Sequence, residues 1–83
     1  MSNLVRVLAF AGARDVLGTH ELALPLDGAC TAGELLGRVC EQFPRLDPYR
    51  RSIRVAVNGA YAQWDDQVRA GDEVALIPPV AGG

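Results

Sequence analysis

Apolar and polar positions along the chain fall into short blocks punctuated by glycine, proline and aspartate. Leu4-Val5-Arg6-Val7-Leu8-Ala9-Phe10 is rich in β-formers and almost wholly apolar, which predicts a strand with both faces largely covered. Residues 11–18 carry glycines at positions 12 and 18 and predict about one helical turn between two strands. Residues 19–26 alternate: Leu22, Leu24 and Leu26 share one face, and Glu21, Ala23 and Pro25 the other. Pro25 cannot donate to a ladder, so this strand belongs at a sheet edge or ends there.

The period then changes. Leu35, Leu36, Val39, Cys40 and Phe43 recur at helical spacing and form one apolar stripe. Thr31 with Glu34 three residues on forms a capping box, and Cys30 with Leu35 occupies the staple positions. Pro44 ends the helix, because the residue before a proline disfavours the helical region. Gly37 weakens the helix and predicts close packing on a sheet. Residues 45–52 read as a loop. Its arginines, with Arg54, form either a solvated surface or a basic patch for an acidic partner. Residues 53–57 predict a strand, Asn58-Gly59 a tight hairpin turn, and residues 60–63 the returning strand. Ala70-Gly71-Asp72 turns into the last strand, residues 73–77.

The order strand, strand, helix, strand, strand, strand predicts an α+β domain of β-grasp type, a mixed five-stranded sheet with one main helix on one face. A right-handed crossover makes the first and last strands parallel, side by side in the middle of the sheet. The expected division is a domain over residues 1–77 and a flexible tail over 78–83.

Composition narrows the function classes. The 83 residues, 49% hydrophobic and 22% charged, suit one small globular domain. A net charge of −2 offers no electrostatic case for nucleic acid or an anionic membrane. No apolar run approaches the roughly 20 residues of a membrane span, and the start lacks a basic leader region, so a cytoplasmic location is expected. Cys30 and Cys40 have no metal or redox spacing and read as reduced and structural. His20 has no companion nucleophile or ligand and reads as a surface residue. Asp65, Asp66 and Asp72 form no metal set. Trp64 is either a partly buried cap on the core or an exposed docking aromatic. All eight basic residues are arginine, so an activated carboxyl group would meet no lysine amine on its own chain.

The tail Pro78-Pro79-Val80-Ala81-Gly82-Gly83 is the most informative stretch. Two prolines stop the last strand and keep the chain extended. Six extended residues at roughly 3.3–3.6 Å each reach about 20 Å. Gly82 and Gly83 lack a Cβ and pass through channels too narrow for side chains. The arm therefore suits threading into another protein's active site, with the Gly83 carboxylate as its chemical handle.

The Val57-Asn58-Gly59 hairpin, the Ala70-Gly71-Asp72-Glu73-Val74 entry to the last strand and the Pro-Pro-Val-Ala-Gly-Gly ending resemble the MoaD/ThiS family of ubiquitin-like sulfur carriers. Within that family the ending is most similar to small subunits of molybdopterin synthase. Carriers for cysteine or thiamine biosynthesis share parts of it. The resemblance implies that a ubiquitin-activating-like adenylyltransferase uses ATP and Mg²⁺ to adenylate Gly83. A sulfurtransferase or persulfide donor then leaves a thiocarboxylate, which serves the synthase large subunit in building the molybdenum cofactor. The chain itself would bind no cofactor or metal and contain no active site of its own. Tail residues Pro78, Pro79, Val80, Ala81 and Gly82 would occupy the partner's channel. A protein modifier conjugated through Gly83 and an inert interaction domain are the competing readings.

A tail alone offers little apolar area, and ordering it costs roughly 1–2 kcal/mol per residue. A second contact on the folded domain is therefore expected. It should be an apolar patch on the sheet face opposite the helix, beside the strand that launches the tail, with Phe10 leading, Trp64 or Tyr61 at its edge, and Arg14 and Arg54 on its rim.

Overall fold

The computed structural model of the protein describes residues 3–78. Its elements are β1 (Leu4–Ala9), α1 (Ala11–Leu17), β2 (Glu21–Pro25), β3 (Ala29–Thr31), α2 (Ala32–Gln42), a 3-10 helix (Pro44–Ser52), β4 (Arg54–Val57), β5 (Ala60–Tyr61), β6 (Gln67–Arg69) and β7 (Glu73–Ile77). Five strands form one sheet in the order β2-β1-β7-β4-β5. The β1–β7 pair is parallel, and β1–β2, β4–β7 and β4–β5 are antiparallel. This is the β-grasp arrangement expected from the element order, with β7 at its centre.

One apolar cluster holds the fold. Val5, Val7 and Ala9 of β1, Val55 of β4, and Val74 and Leu76 of β7 are buried with Leu35, Leu36, Val39 and Cys40 of α2. The α2 stripe thus covers one sheet face. Its N-terminus is fully paired. Ala32 N–H donates to the Asp66 carbonyl and Gly33 N–H to the Trp64 carbonyl, both at 2.9 Å. Glu34 N–H donates to Thr31 Oγ1 at 3.1 Å, and Thr31 N–H to Glu34 Oε1 at 2.9 Å. All four donors that a helix start leaves open are therefore satisfied. The hairpin turn also forms as its sequence demands, with φ of 50° at Asn58 and 86° at Gly59.

Several local expectations are corrected. β1 has one covered face, because among the described residues no second layer lies over the side that carries Leu4, Arg6 and Leu8. Residues 11–17 form a helix longer than one turn, anchored by buried Ala13 and Leu17. The loop expected at 45–52 is a 3-10 helix, started by Pro44 and held to the core by Leu46. The strand expected over 60–63 is regular only at Ala60 and Tyr61, with one further bond from Ala62 N–H to the Val55 carbonyl at 2.9 Å. β3 and β6 form a separate two-stranded sheet that frames the start of α2. Gly37 packs beneath Arg50 of the 3-10 helix and not on the sheet: a Cβ there would lie 3.1 Å from Arg50 Nη2.

Asp66 and Asp72 shape turns. The Asp66 carboxylate accepts from Gln63 N–H at 2.8 Å, and that of Asp72 from Arg69 N–H at 2.9 Å. Among the described residues, no cluster of three or more His, Cys, Asp or Glu could hold a metal ion. No helix among them is long and apolar enough to cross a membrane.

Candidate functional site

The sheet register assembles an open surface beside the end of β7. Glu21, Leu8, Ala75, Ala56 and Tyr61 stand side by side across five strands. Alternation turns all of them away from the helix, because their strand neighbours Val7, Val55, Val74 and Leu76 are buried in the core. One step toward the tail, Arg54 pairs with Ile77. Phe10 continues the β1 ladder there, its N–H donating to the Leu76 carbonyl at 3.3 Å. Extended backbone at Phe10 (φ −120°, ψ 152°) keeps its side chain on the open face, where it lines a shallow depression with Leu8 and Arg14. Phe10 is 49% exposed and Tyr61 70%. Ala56, Ala75, Leu8 and Ile77 form a flatter apolar floor between them.

Polar groups border this floor. Arg6 bridges Glu21 at 3.0 Å and Glu73 at 3.2 Å, tying β2, β1 and β7 together. The hydrogen bond from Arg6 holds the Glu21 carboxyl below its ordinary range and raises the arginine. Arg54 rims the side next to Ile77. Arg14 rims the side next to Phe10.

The last described residue, Pro78, is partly buried and touches a cavity of about 300 Å³ between α1 and the 3-10 helix, lined also by Val16, Tyr49 and Ile53. The tail is thus rooted at the end of the central strand, beside Phe10 and Arg54. Pro79, Val80, Ala81, Gly82 and Gly83 lie outside the described residues.

Trp64 stands elsewhere. Its carbonyl receives Gly33 N–H of α2, and it lines a groove on the helix side with Arg50 and Arg51. It is 49% exposed, half-buried at the sheet edge, where it lines a cleft with Tyr61 and Arg54 and not the depression beside Phe10. Periodicity missed Leu8, Ala75 and Ile77 as surface residues of the patch. The signal was available once Val5 and Val7 are assigned to the core, because every second residue must then point outward. Cys30 and Cys40 are buried, and burial pushes both thiols up, which removes them as nucleophiles. His20 is exposed.

The sequence model described as "ThiS family" matches residues 7–83. The chain belongs to the ThiS family. The match runs through the tail to Gly83, so the family pattern joins the sheet and the Gly-Gly end in one unit. The chain is 38% identical over 86 residues to the molybdopterin synthase sulfur carrier subunit of Aedes aegypti, covering 95% of this chain and 88% of that one. It is 34% identical over 79 residues to the subunit of the same name in Arabidopsis thaliana, covering 95% and 82%. Among solved structures, small archaeal modifier protein 1 of Haloferax volcanii has a TM-score of 0.81 at 29% identity, covering 95% of this chain and 100% of that one. The ThiS-family fold is also shared, at 18% identity and a TM-score of 0.66, with a chain in the Helicobacter pylori complex of molybdopterin-converting factor subunits 1 and 2, covering 96% of this chain and 99% of that one.

Proposed function

We propose that the protein is a sulfur carrier that donates sulfur for molybdopterin synthesis as the small subunit of a molybdopterin synthase. The observation that carries this reading is the family match through Gly83, on a tail rooted at the central strand, together with relatives named as sulfur carrier subunits of that synthase.

The proposed chemistry requires nothing of the domain but delivery. A Gly83 carboxylate oxygen attacks the α-phosphorus of MgATP in a partner adenylyltransferase and expels pyrophosphate. A persulfide sulfur then attacks the acyl carbon and displaces AMP. A thiol reductant cleaves the resulting acyl disulfide and leaves the thiocarboxylate. The carboxylate is a poor acyl donor, and adenylation supplies the leaving group. ATP and Mg²⁺ belong to the partner, and the reaction is placed in the cytoplasm. Phe10, Tyr61 and the floor between them dock on the synthase large subunit, with Arg54 and Arg14 orienting the approach. The channel of that partner takes Pro78 through Gly82 and receives the Gly83 thiocarboxylate.

Co-expression with the native partners followed by intact-mass measurement tests the reading. A gain of about 16 Da, oxygen replaced by sulfur, is expected on the full chain and absent after removal of Gly83. A Gly83-truncated protein that still supports cofactor synthesis would overturn it. A second reading, a protein modifier, draws on the 33% identity to small archaeal modifier protein 1. It predicts covalent protein adducts through Gly83 in place of the small mass gain.

A further inference from the structure

Positive charge is unevenly placed on this chain. The net charge is −2, yet four of the eight basic residues, Arg45, Arg50, Arg51 and Arg54, fall in a ten-residue stretch with a single carboxylate, Asp47. The 3-10 helix that carries most of them forms one wall of a groove of about 640 Å³. α2 contributes Gly33 and Leu36 to the groove, which Trp64 also lines. Two glycines of α2 set its shape. At Gly37 the bare helix backbone lets the Arg50 guanidinium lie across α2, where a Cβ would stand 3.1 Å from it. At Gly33 the helix N–H takes the Trp64 carbonyl at 2.9 Å and brings the tryptophan against the helix start.

The guanidinium groups are not neutralised within the fold. Among the described residues the ion pairs belong to Arg6 alone, and neither Arg50 nor Arg51 makes a side-chain hydrogen bond. Two cations without an ion-pair partner therefore line the groove together with a half-exposed indole. Such a site recognises a carboxylate bidentately and an apolar side chain by contact. The groove also runs on into a cleft lined by Arg51, Arg54, Tyr61 and Trp64 at the sheet edge, a course that suits an extended segment.

We propose that this groove is a second docking surface, for an acidic segment of a partner protein, centred on Trp64 and the 3-10 helix and meeting the open sheet face only at Arg54 and Tyr61. Carboxylates of the segment pair with Arg50 and Arg51, and an apolar residue between them seats on Trp64. A polyphosphate or nucleic acid fits less well, because Asp47 in the same groove repels any anion and the repulsion grows with charge density, which is higher along a phosphate chain than along spaced carboxylates.

Trp64 is the chain's one tryptophan, so its fluorescence reports this groove directly. The probe is a short peptide of alternating glutamate and leucine, titrated into the full chain beside its glutamine counterpart, ATP and an oligouridylate. The expected result is a saturable Trp64 shift with the acidic peptide that weakens with salt. Arg50→Gln with Arg51→Gln should weaken it about tenfold, the corresponding lysine pair should recover part of the loss, and Phe10→Ala should leave it unchanged. Neither arginine side chain bonds within the fold, so both double variants should keep the parent's thermal midpoint. No saturable shift, equal affinity for the glutamine peptide, or an unaffected arginine-to-glutamine double variant overturns the proposal. Tighter binding of ATP or the oligouridylate overturns it in favour of a phosphate site.

Discussion

Phe10→Ala separates docking from folding most directly. An aromatic side chain buries about 150–250 Å² when covered, so the 49% of Phe10 that remains exposed offers roughly 100 Å² to a partner. At about 25 cal/mol per Å² that area contributes about 2.5 kcal/mol. The methyl that alanine keeps lowers the expected loss to about 2 kcal/mol, roughly a thirtyfold weaker Kd. Phe10 lies outside the buried cluster, and its structural work is done by the backbone. Its N–H reaches Leu76, and its carbonyl accepts from Ala13 and Arg14 at the start of α1. Alanine preserves those bonds, so the stability loss should stay near 1 kcal/mol, about 4–8 °C in Tm for a domain of this size. Calorimetric titration with the synthase large subunit, paired with a thermal scan of the carrier alone, reads both quantities. An unchanged Kd would refute the open face as the docking surface, and a Tm collapse with affinity intact in the folded fraction would return Phe10 to the core.

The two glycines of α2 should respond with opposite signs. Gly37→Ala meets only the far end of Arg50, which can swing aside, so urea denaturation should show a gain of about 0.5–1 kcal/mol from helix propensity. Gly33→Ala places a Cβ 3.3 Å from the Trp64 carbonyl, a backbone atom held by the Gly33 N–H, and should lower stability; a gain at both sites would contradict this packing. Thr31→Ala removes the capping hydroxyl and should cost about 1 kcal/mol. The hydrogen bonds from Thr31, backbone N–H foremost, hold the Glu34 carboxyl below its ordinary value of 4.5. A depressed carboxylate stabilises fully above that value and loses its contribution as pH falls through the lowered one, so Glu34→Gln should flatten the acid limb of the stability profile below 4.5. An unaltered acid limb would mean that the capping carboxylate does not titrate with folding.

Local chemistry alone determined a good deal of this protein. The capping box at Thr31 and Glu34, the stop at Pro44 and the Asn58-Gly59 turn each depend on bonds within a few residues, so their sequence signals survive without tertiary context. The α2 stripe and the strand order follow as well, because burying one helical face against a sheet leaves few arrangements. Other features depended on neighbours far along the chain. The 3-10 helix has one buried anchor, Leu46, and Pro48 within it, too little periodicity to mark an element. β3 and β6 have three residues each and exist only because each supplies the other's hydrogen bonds. Gly37 signalled close packing, but its neighbour proved to be Arg50, brought over by the 3-10 helix. The same holds for the surfaces. Alternation in β1 divides Phe10 and Leu8 from Val5 and Val7, but only the position of α2 decides which set meets water. Trp64 and Tyr61 are three residues apart in sequence. The ladder ends where Ala62 N–H donates to the Val55 carbonyl. The hydrogen bond from Gly33 N–H to the Trp64 carbonyl then draws the chain toward the start of α2, so Trp64 reaches the groove beside α2 while Tyr61 stays on its strand.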